Sequence, residues 1–254
     1  MARPFQAIAA AAVLMLAPLL SAVGASAQQG ALAIDGAAAR EALARFEGLA
    51  QAVRPAGQMP RITDPAVRQA LATIWDVRPL DPARRASEAD LPVLMPYCEA
   101  GSQVLRSYFL FNPRGTGAPD AAANLQTYGD EIMSGFAFSV RCSGATLEAA
   151  TAFMGSLPAD QMNQVRRDGW NRLRLGATQV IRGTLMMLGD ASLSSVHADA
   201  LARALSDSAP RYAAGLEPAE RQAIVEVTRT ILPAVRLAPV RERLEGFAGV
   251  LSGR

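Results

Sequence analysis

The chain has 254 residues, with 25 basic and 23 acidic side chains and a formal net charge of +2. Every basic residue is Arg, because the sequence contains no Lys. Such a balanced charge gives no long-range attraction to nucleic acid, so we expect no nucleic-acid partner. The missing Lys also excludes P-loop, Schiff-base and S-x-x-K chemistry.

The first residues have the three parts of a secretory signal peptide. Arg3 provides a positive start, residues 7–20 form an apolar segment, and residues 25–27, Ala-Ser-Ala, match a small-x-small cleavage site. We predict that residues 1–27 are removed and that 28–254 form a single all-helical domain in the periplasm or the medium. The alternative is an uncleaved membrane anchor, which the proline inside the apolar segment disfavours.

No later stretch approaches the roughly 18–20 consecutive apolar residues that cross a bilayer. We therefore expect no transmembrane span after signal cleavage. Cys98 and Cys142 are an even pair in a predicted exported protein, which favours a disulfide between them. Closing a loop of about 45 residues would stabilise the fold by roughly 4 kcal/mol through chain entropy. Free thiols are the alternative, and two isolated cysteines with one distant histidine do not make a zinc site.

The periodic segments are helical, and strand signals are nearly absent. Ala, Leu, Arg, Glu and Gln dominate the segments, while Gly and Pro fall between them. Asp64 followed by Pro65 is typical of a capped helix start, and residues 78–92 are predicted to form a long polar connection. The predicted helices are 36–53, one that starts at Pro65, 98–111, 119–141, 146–156, 158–188, 193–205, 217–232 and 239–251. This pattern predicts an all-α, compact, irregular bundle of about eight to ten helices.

Segment 158–188 contains the strongest amphipathic pattern and a local group of arginines. Arg166, Arg167 and Arg174 are candidate anion-binding residues, because a guanidinium group binds phosphate or carboxylate in a bidentate manner. The alternative is a solvated face on which nearby acids neutralise these charges. No metal or cofactor is expected.

Any histidine-dependent chemistry must use His197, the single histidine of the chain. The alternative is that a neighbouring serine caps a helix and His197 occupies its first turns. Asp130 and Glu131 precede an apolar run, where a carboxylate can acquire a raised pKa and transfer protons. The usual alternative for such acids is contact with water or with an arginine.

The sequence favours a non-enzymatic exported module that binds a protein partner or an apolar ligand, because recognisable catalytic equipment is missing. The alternative is an extracytoplasmic hydrolase that uses His197 or the Asp130 and Glu131 carboxylates. These two hypotheses differ in what should surround the histidine. A hydrolase requires a nucleophile or a second carboxylate within hydrogen-bonding distance of the catalytic group.

Overall fold

The structure, a computed structural model, describes residues 32–113, 115 and 117–253. Within these residues it contains nine α-helices and no strand, which confirms the predicted all-α bundle. The predicted signal peptide, residues 1–27, lies outside the described residues. The helices are α1 (Gly36–Val53), α2 (Pro65–Ile74), α3 (Leu91–Phe109), α4 (Ala121–Thr127), α5 (Gly129–Ser156), α6 (Gln164–Leu188), α7 (Ser195–Gly215), α8 (Pro218–Ile231) and α9 (Ala238–Leu251).

Several helices begin where a polar side chain caps the backbone. The Asp64 carboxylate accepts hydrogen bonds from the backbone N–H groups of Ala66 and Val67, with Pro65 in the first turn, as the sequence predicts. Asn163 caps α6 in the same way. In the part of the chain that the structure describes, no helix combines the length and the apolar character needed to cross a bilayer.

The predicted helices 119–141 and 146–156 are divided in the wrong place. The break lies at Tyr128, and α5 continues without interruption through residues 142–145. Gly144, inside the predicted break, is a packing position: a Cβ atom there would lie 3.2 Å from the Cβ atom of Ser208 on α7. The glycine therefore allows two helices to approach closely and does not end either of them.

Three further helix ends, each near a proline, differ from those predicted from the sequence. α3 begins at Leu91, before the predicted start at 98, and it accommodates Pro96 within its second turn. α7 extends to Gly215 with Pro210 inside it, ten residues beyond the predicted end. The segment predicted to open at 158 instead forms a 3₁₀ turn, Ala159–Gln161, before α6 begins. In the first two cases, packing of the apolar face maintained a helix that the local proline signal alone disfavours.

Helix α5 lies at the centre of the bundle and is buried along most of its length. It packs mainly against α7 and α3. Buried apolar residues from all nine helices form one contiguous cluster. The predicted pair Cys98–Cys142 lies at disulfide distance, with its Cα atoms 5.6 Å apart, and joins α3 to α5.

The connection between α2 and α3 is held by a buried arginine that no sequence pattern singles out. Arg211 on α7 donates to Glu148 Oε2 at 2.9 Å. It also donates to the backbone carbonyls of Leu80 at 2.8 Å, Asp81 at 3.0 Å and Arg84 at 2.7 Å. We call Arg211, Glu148 and these three carbonyls the Arg211 anchor.

Candidate functional site

A groove lies where the last turns of α3 meet the end of α1. Its volume is about 710 Å³. Its lining residues come from the 3₁₀ turn after α1, from the C-terminal half of α3 and from the loop that follows α3. We call it the α3 groove, and it is lined by Arg54, Gln103, Arg106, Ser107, Leu110, Phe111, Asn112, Pro113 and Gly115.

The polar part of the α3 groove is rich in hydrogen-bond donors, and its described lining residues include no carboxylate. Arg54 and Arg106 contribute guanidinium groups, and the side chains of Gln103 and Asn112 contribute amide groups. Arg54 is exposed, and its side chain makes no hydrogen bond or ion pair with any described residue. Arg106 donates to Glu99 at 2.8 Å, and Gln103 donates to Glu47 at 2.9 Å, both outside the lining. The lining is therefore suited to an anionic group.

The apolar side chains of the groove pack on a row of buried aromatic rings. Leu110 is 36% exposed, and Phe111 packs edge-on against Tyr128 with ring centroids 5.9 Å apart. Tyr128 in turn contacts Tyr108, which packs on Phe46. Burial, followed by the nearby Glu131 charge, raises the pKa of Tyr108 well above its usual range. Tyr108 therefore stays neutral and donates to the Pro60 carbonyl at 2.8 Å.

Asn124 of α4 fixes the end of α3 where the groove opens. This side chain is buried, and its amide donates to the backbone carbonyls of Phe109 at 3.0 Å and Phe111 at 2.8 Å. Both carbonyls lie at the end of α3, where the backbone no longer has helical partners. The end of α3 beneath the apolar lining is thus held by two hydrogen bonds from a buried side chain, and leaving those carbonyls unpaired would be costly.

The structure separates the two neighbouring acids at the start of α5. Glu131 is fully buried, and its Oε1 atom accepts from the backbone N–H of Ile62 at 2.7 Å and from Arg61 Nε at 3.3 Å. Its Oε2 atom is buried without a hydrogen-bond partner among the described residues. Asp130 faces solvent. Glu131 thus holds the α1–α2 connection against α5.

His197 lies on the first turn of α7 and contacts Asp130. Its Nε2 atom is 2.9 Å from Asp130 Oδ1, while its backbone N–H donates to the capping Ser194 hydroxyl at 3.2 Å. The structure thus brings together two residues that the sequence singled out separately. Among the described residues, no Ser, Thr or Cys side chain is hydrogen-bonded to the imidazole ring, and no group of three or more His, Cys, Asp and Glu side chains is arranged to hold a metal ion.

The three predicted anion-binding arginines have different surroundings. Arg166 and Arg167 donate to the backbone carbonyls of Gln161 and Met162 just before α6. Arg174 is largely buried and forms ion pairs with Glu217 and Glu220. It also lies over the Trp170 ring, 5.7 Å from the centroid. An anion site shared by all three arginines stays a prediction.

Sequence reasoning missed Arg54 and Arg106, which are brought together only by the packing of α1 against α3. The one local signal was the loop after α3, since binding residues are concentrated in loops on rigid scaffolds. Comparison with known proteins adds no relative: no protein family, curated protein or solved structure matches the chain.

Proposed function

We propose that this protein is an exported, non-enzymatic binding module whose α3 groove takes an amphipathic ligand with an acidic head and an apolar tail. The observation that carries the proposal is the lining of the groove. The guanidinium groups of Arg54 and Arg106 stand beside the exposed Leu110 and the Phe111 ring, and no carboxylate lies among the lining residues. Guanidinium groups bind carboxylates and phosphates through paired, charge-assisted hydrogen bonds.

The size of the groove supports a small-molecule ligand. Ligand pockets commonly have volumes of about 300–1,000 Å³ and combine apolar walls with a few directed polar groups. The volume of about 710 Å³ falls within that range. Leu110, Phe111 and Pro113 offer apolar contact along the loop, so a hydrocarbon chain can lie there while its head group meets the arginines.

Export is the second part of the proposal. It is supported by the signal-peptide pattern of residues 1–27 and by the disulfide distance between Cys98 and Cys142. Disulfides persist in oxidising compartments and are rare in the cytosol. Intact mass and N-terminal sequencing of protein purified from the envelope test this part, and we expect a chain that starts at Gln28 and lacks two thiol protons. A full-length chain with reduced thiols would contradict export.

Isothermal titration calorimetry tests the ligand class with dodecanoate as the probe. We expect dodecanoate to bind, and the double variant Arg54→Gln/Arg106→Gln to bind it about tenfold or more weakly, because two charge-assisted contacts are lost. Arg236→Gln is the matched control, since Arg236 is exposed and lies outside the groove. Dodecyltrimethylammonium has the same tail with the opposite charge and should bind more weakly than dodecanoate. Equal dodecanoate affinity in the double variant and the wild type would reject the proposed site.

A hydrolase is the second candidate, and the contact between His197 and Asp130 is the observation that favours it. A carboxylate that orients an imidazole is one part of a nucleophilic device. Hydrolysis of p-nitrophenyl esters by the purified protein tests this candidate. An activity that disappears in both His197→Asn and Asp130→Asn, while both variants unfold at the wild-type denaturant concentration, would favour a hydrolase over a binding module.

A further inference from the structure

The outer surface of α6 carries an unusual line of exposed apolar residues. Three of the eight large apolar side chains that are exposed among the described residues are Val165, Leu175 and Met186, with exposures of 59%, 50% and 39%. Leu175 and Met186 are eleven residues apart and lie on the same side of the helix, and Val165, ten residues before Leu175, lies about 80° round the helix at the edge of that side. We call this stripe the α6 face; it consists of Val165, Asp168, Arg172, Leu175, Gln179, Arg182 and Met186.

The α6 face points away from the neighbours of α6. Helices α5, α7 and α8 pack against the opposite side, where Leu173, Ala177 and Ile181 are buried. The Arg172 and Arg182 side chains on the face make no hydrogen bond or ion pair with any described residue. A Cβ atom added at Gly176, beside Leu175, would meet nothing within 4 Å. The face is therefore open, and neither arginine side chain has a partner within the described part of the chain.

The charges on the α6 face are arranged symmetrically about Leu175. Asp168 lies seven residues before Leu175 and Arg182 lies seven residues after it. A seven-residue step is about 10.5 Å along the helix axis and returns to the same side of the helix. When two copies of α6 cross antiparallel at Leu175, Asp168 of each copy faces Arg182 of the other. Val165 and Met186, ten and eleven residues from the centre, meet at the two ends.

We propose that the α6 face is a self-complementary interface through which two copies of this chain associate antiparallel about a twofold axis at Leu175. In an isologous contact each residue i meets residue j while j meets i, and the Asp168 and Arg182 positions satisfy this condition. A parallel arrangement places Asp168 against Asp168 and Arg182 against Arg182, which is repulsive. Opposite charges therefore select the antiparallel orientation.

The dimer is weak because the α6 face is small. The stripe from Val165 to Met186 is about 32 Å long. A standard stable interface buries about 800 Å² on each partner, more than one helix face of this length supplies. The dimer is therefore expected to form at high protein concentration and to dissociate on dilution. The α6 face shares no residue with the α3 groove, so ligand binding and association are separate properties.

Sedimentation velocity across a dilution series, from millimolar to micromolar protein, tests the proposal through charge reversal. We expect Asp168→Arg and Arg182→Asp each to remove the dimer, and the double variant Asp168→Arg/Arg182→Asp to restore it. The matched control is Arg236→Asp, which makes the same charge change on an exposed residue outside the face and should dimerise like the wild type. Leu175→Asp should also be monomeric, and circular dichroism checks that every variant keeps its helical fold.

Two outcomes would overturn the proposal. The first is a wild type that stays monomeric at millimolar concentration. The second is a dimer that persists in both single variants or fails to return in the double variant. Co-sedimentation with anionic vesicles tests whether a membrane occupies the face instead of a second copy. In that case Asp168→Arg would strengthen vesicle binding, Arg182→Asp would weaken it, and the double variant would not restore self-association.

Discussion

Arg211 and the two groove arginines show how surroundings change the role of one side-chain type. Arg211 is 2% exposed, and it meets one carboxylate and three backbone carbonyls. Arg54 is exposed and has no described partner, while Arg106 pairs with a carboxylate outside the groove. A buried charge must have its donors matched, whereas an exposed one can exchange water for a ligand. The number of internal partners therefore separates a structural arginine from a candidate binding arginine.

The largest expected effect is the loss of stability when the buried Arg211 is replaced. Arg211→Met removes the buried one of the two arginines that pair with Glu148, since Arg85 is mostly exposed. It also leaves three backbone carbonyls without the guanidinium donor, so we expect the free energy of unfolding to fall by about 3–5 kcal/mol. Urea unfolding followed by circular dichroism measures the change. Arg106→Met is the matched groove variant and should lose no more than about 1 kcal/mol, since its pair with Glu99 is partly exposed. An equal fall in the free energy of unfolding in the two variants would contradict the different roles assigned to Arg211 and Arg106.

The second prediction concerns the covalent link between α3, which lines the groove, and α5. Cys98→Ser/Cys142→Ser should lower the free energy of unfolding by roughly 2–4 kcal/mol, because the unfolded chain gains the freedom of a loop of about 45 residues. The folded variant should still bind dodecanoate, since neither cysteine lines the groove. Urea unfolding and calorimetric titration of the same sample measure both properties. Unchanged stability under non-reducing conditions is incompatible with this prediction.

A third prediction tests the tight packing beneath the groove helix. A Cβ atom at Gly101 of α3 would overlap the Phe138 ring of α5, so Gly101→Ala should cost about 1–3 kcal/mol of stability. Gly48→Ala is the control, because a Cβ atom there meets nothing within 4 Å and alanine favours a helix by up to about 1 kcal/mol. Thermal unfolding should therefore shift in opposite directions in the two variants. A shift in the same direction would contradict the close contact between α3 and α5.

The last effect is absent at neutral pH and is an alkaline dependence that arises from the interior tyrosines. Burial raises the pKa of Tyr97, Tyr108 and Tyr212 well above the unfolded value of about 10. The folded state therefore retains phenolic protons that the unfolded state has lost, and stability falls as the pH rises above about 10. Absorbance at 295 nm during a pH titration should show these three phenols ionising together with loss of helical structure. Their ionisation in a fully folded protein would contradict their burial.

The sequence predicted the features that depend on neighbouring residues and missed those that depend on contacts between distant ones. Helix α1 and the Asp64-Pro65 start followed from local periodicity and capping, and the helical bundle followed from composition. The start and length of α5 did not follow from local signals, because Gly144 lies inside the helix where α5 packs closely against Ser208 of α7. Tertiary packing also places Arg54 and Arg106 in one groove. It likewise brings Arg211 to Glu148 and His197 to Asp130. A sequence pattern names candidate residues but does not determine which distant ones meet.

Ligand binding in the α3 groove can be located by titrating dodecanoate into isotope-labelled protein and following each residue in two-dimensional ¹H–¹⁵N NMR spectra. The α3 groove, as an amphipathic-anion site, predicts that chemical-shift changes concentrate in the backbone amides of Arg54, Gln103–Asn112 and Gly115, with the helix α7 amides around His197 unaffected. Changes centred on His197 and Asp130, or no saturable changes at all, would contradict it.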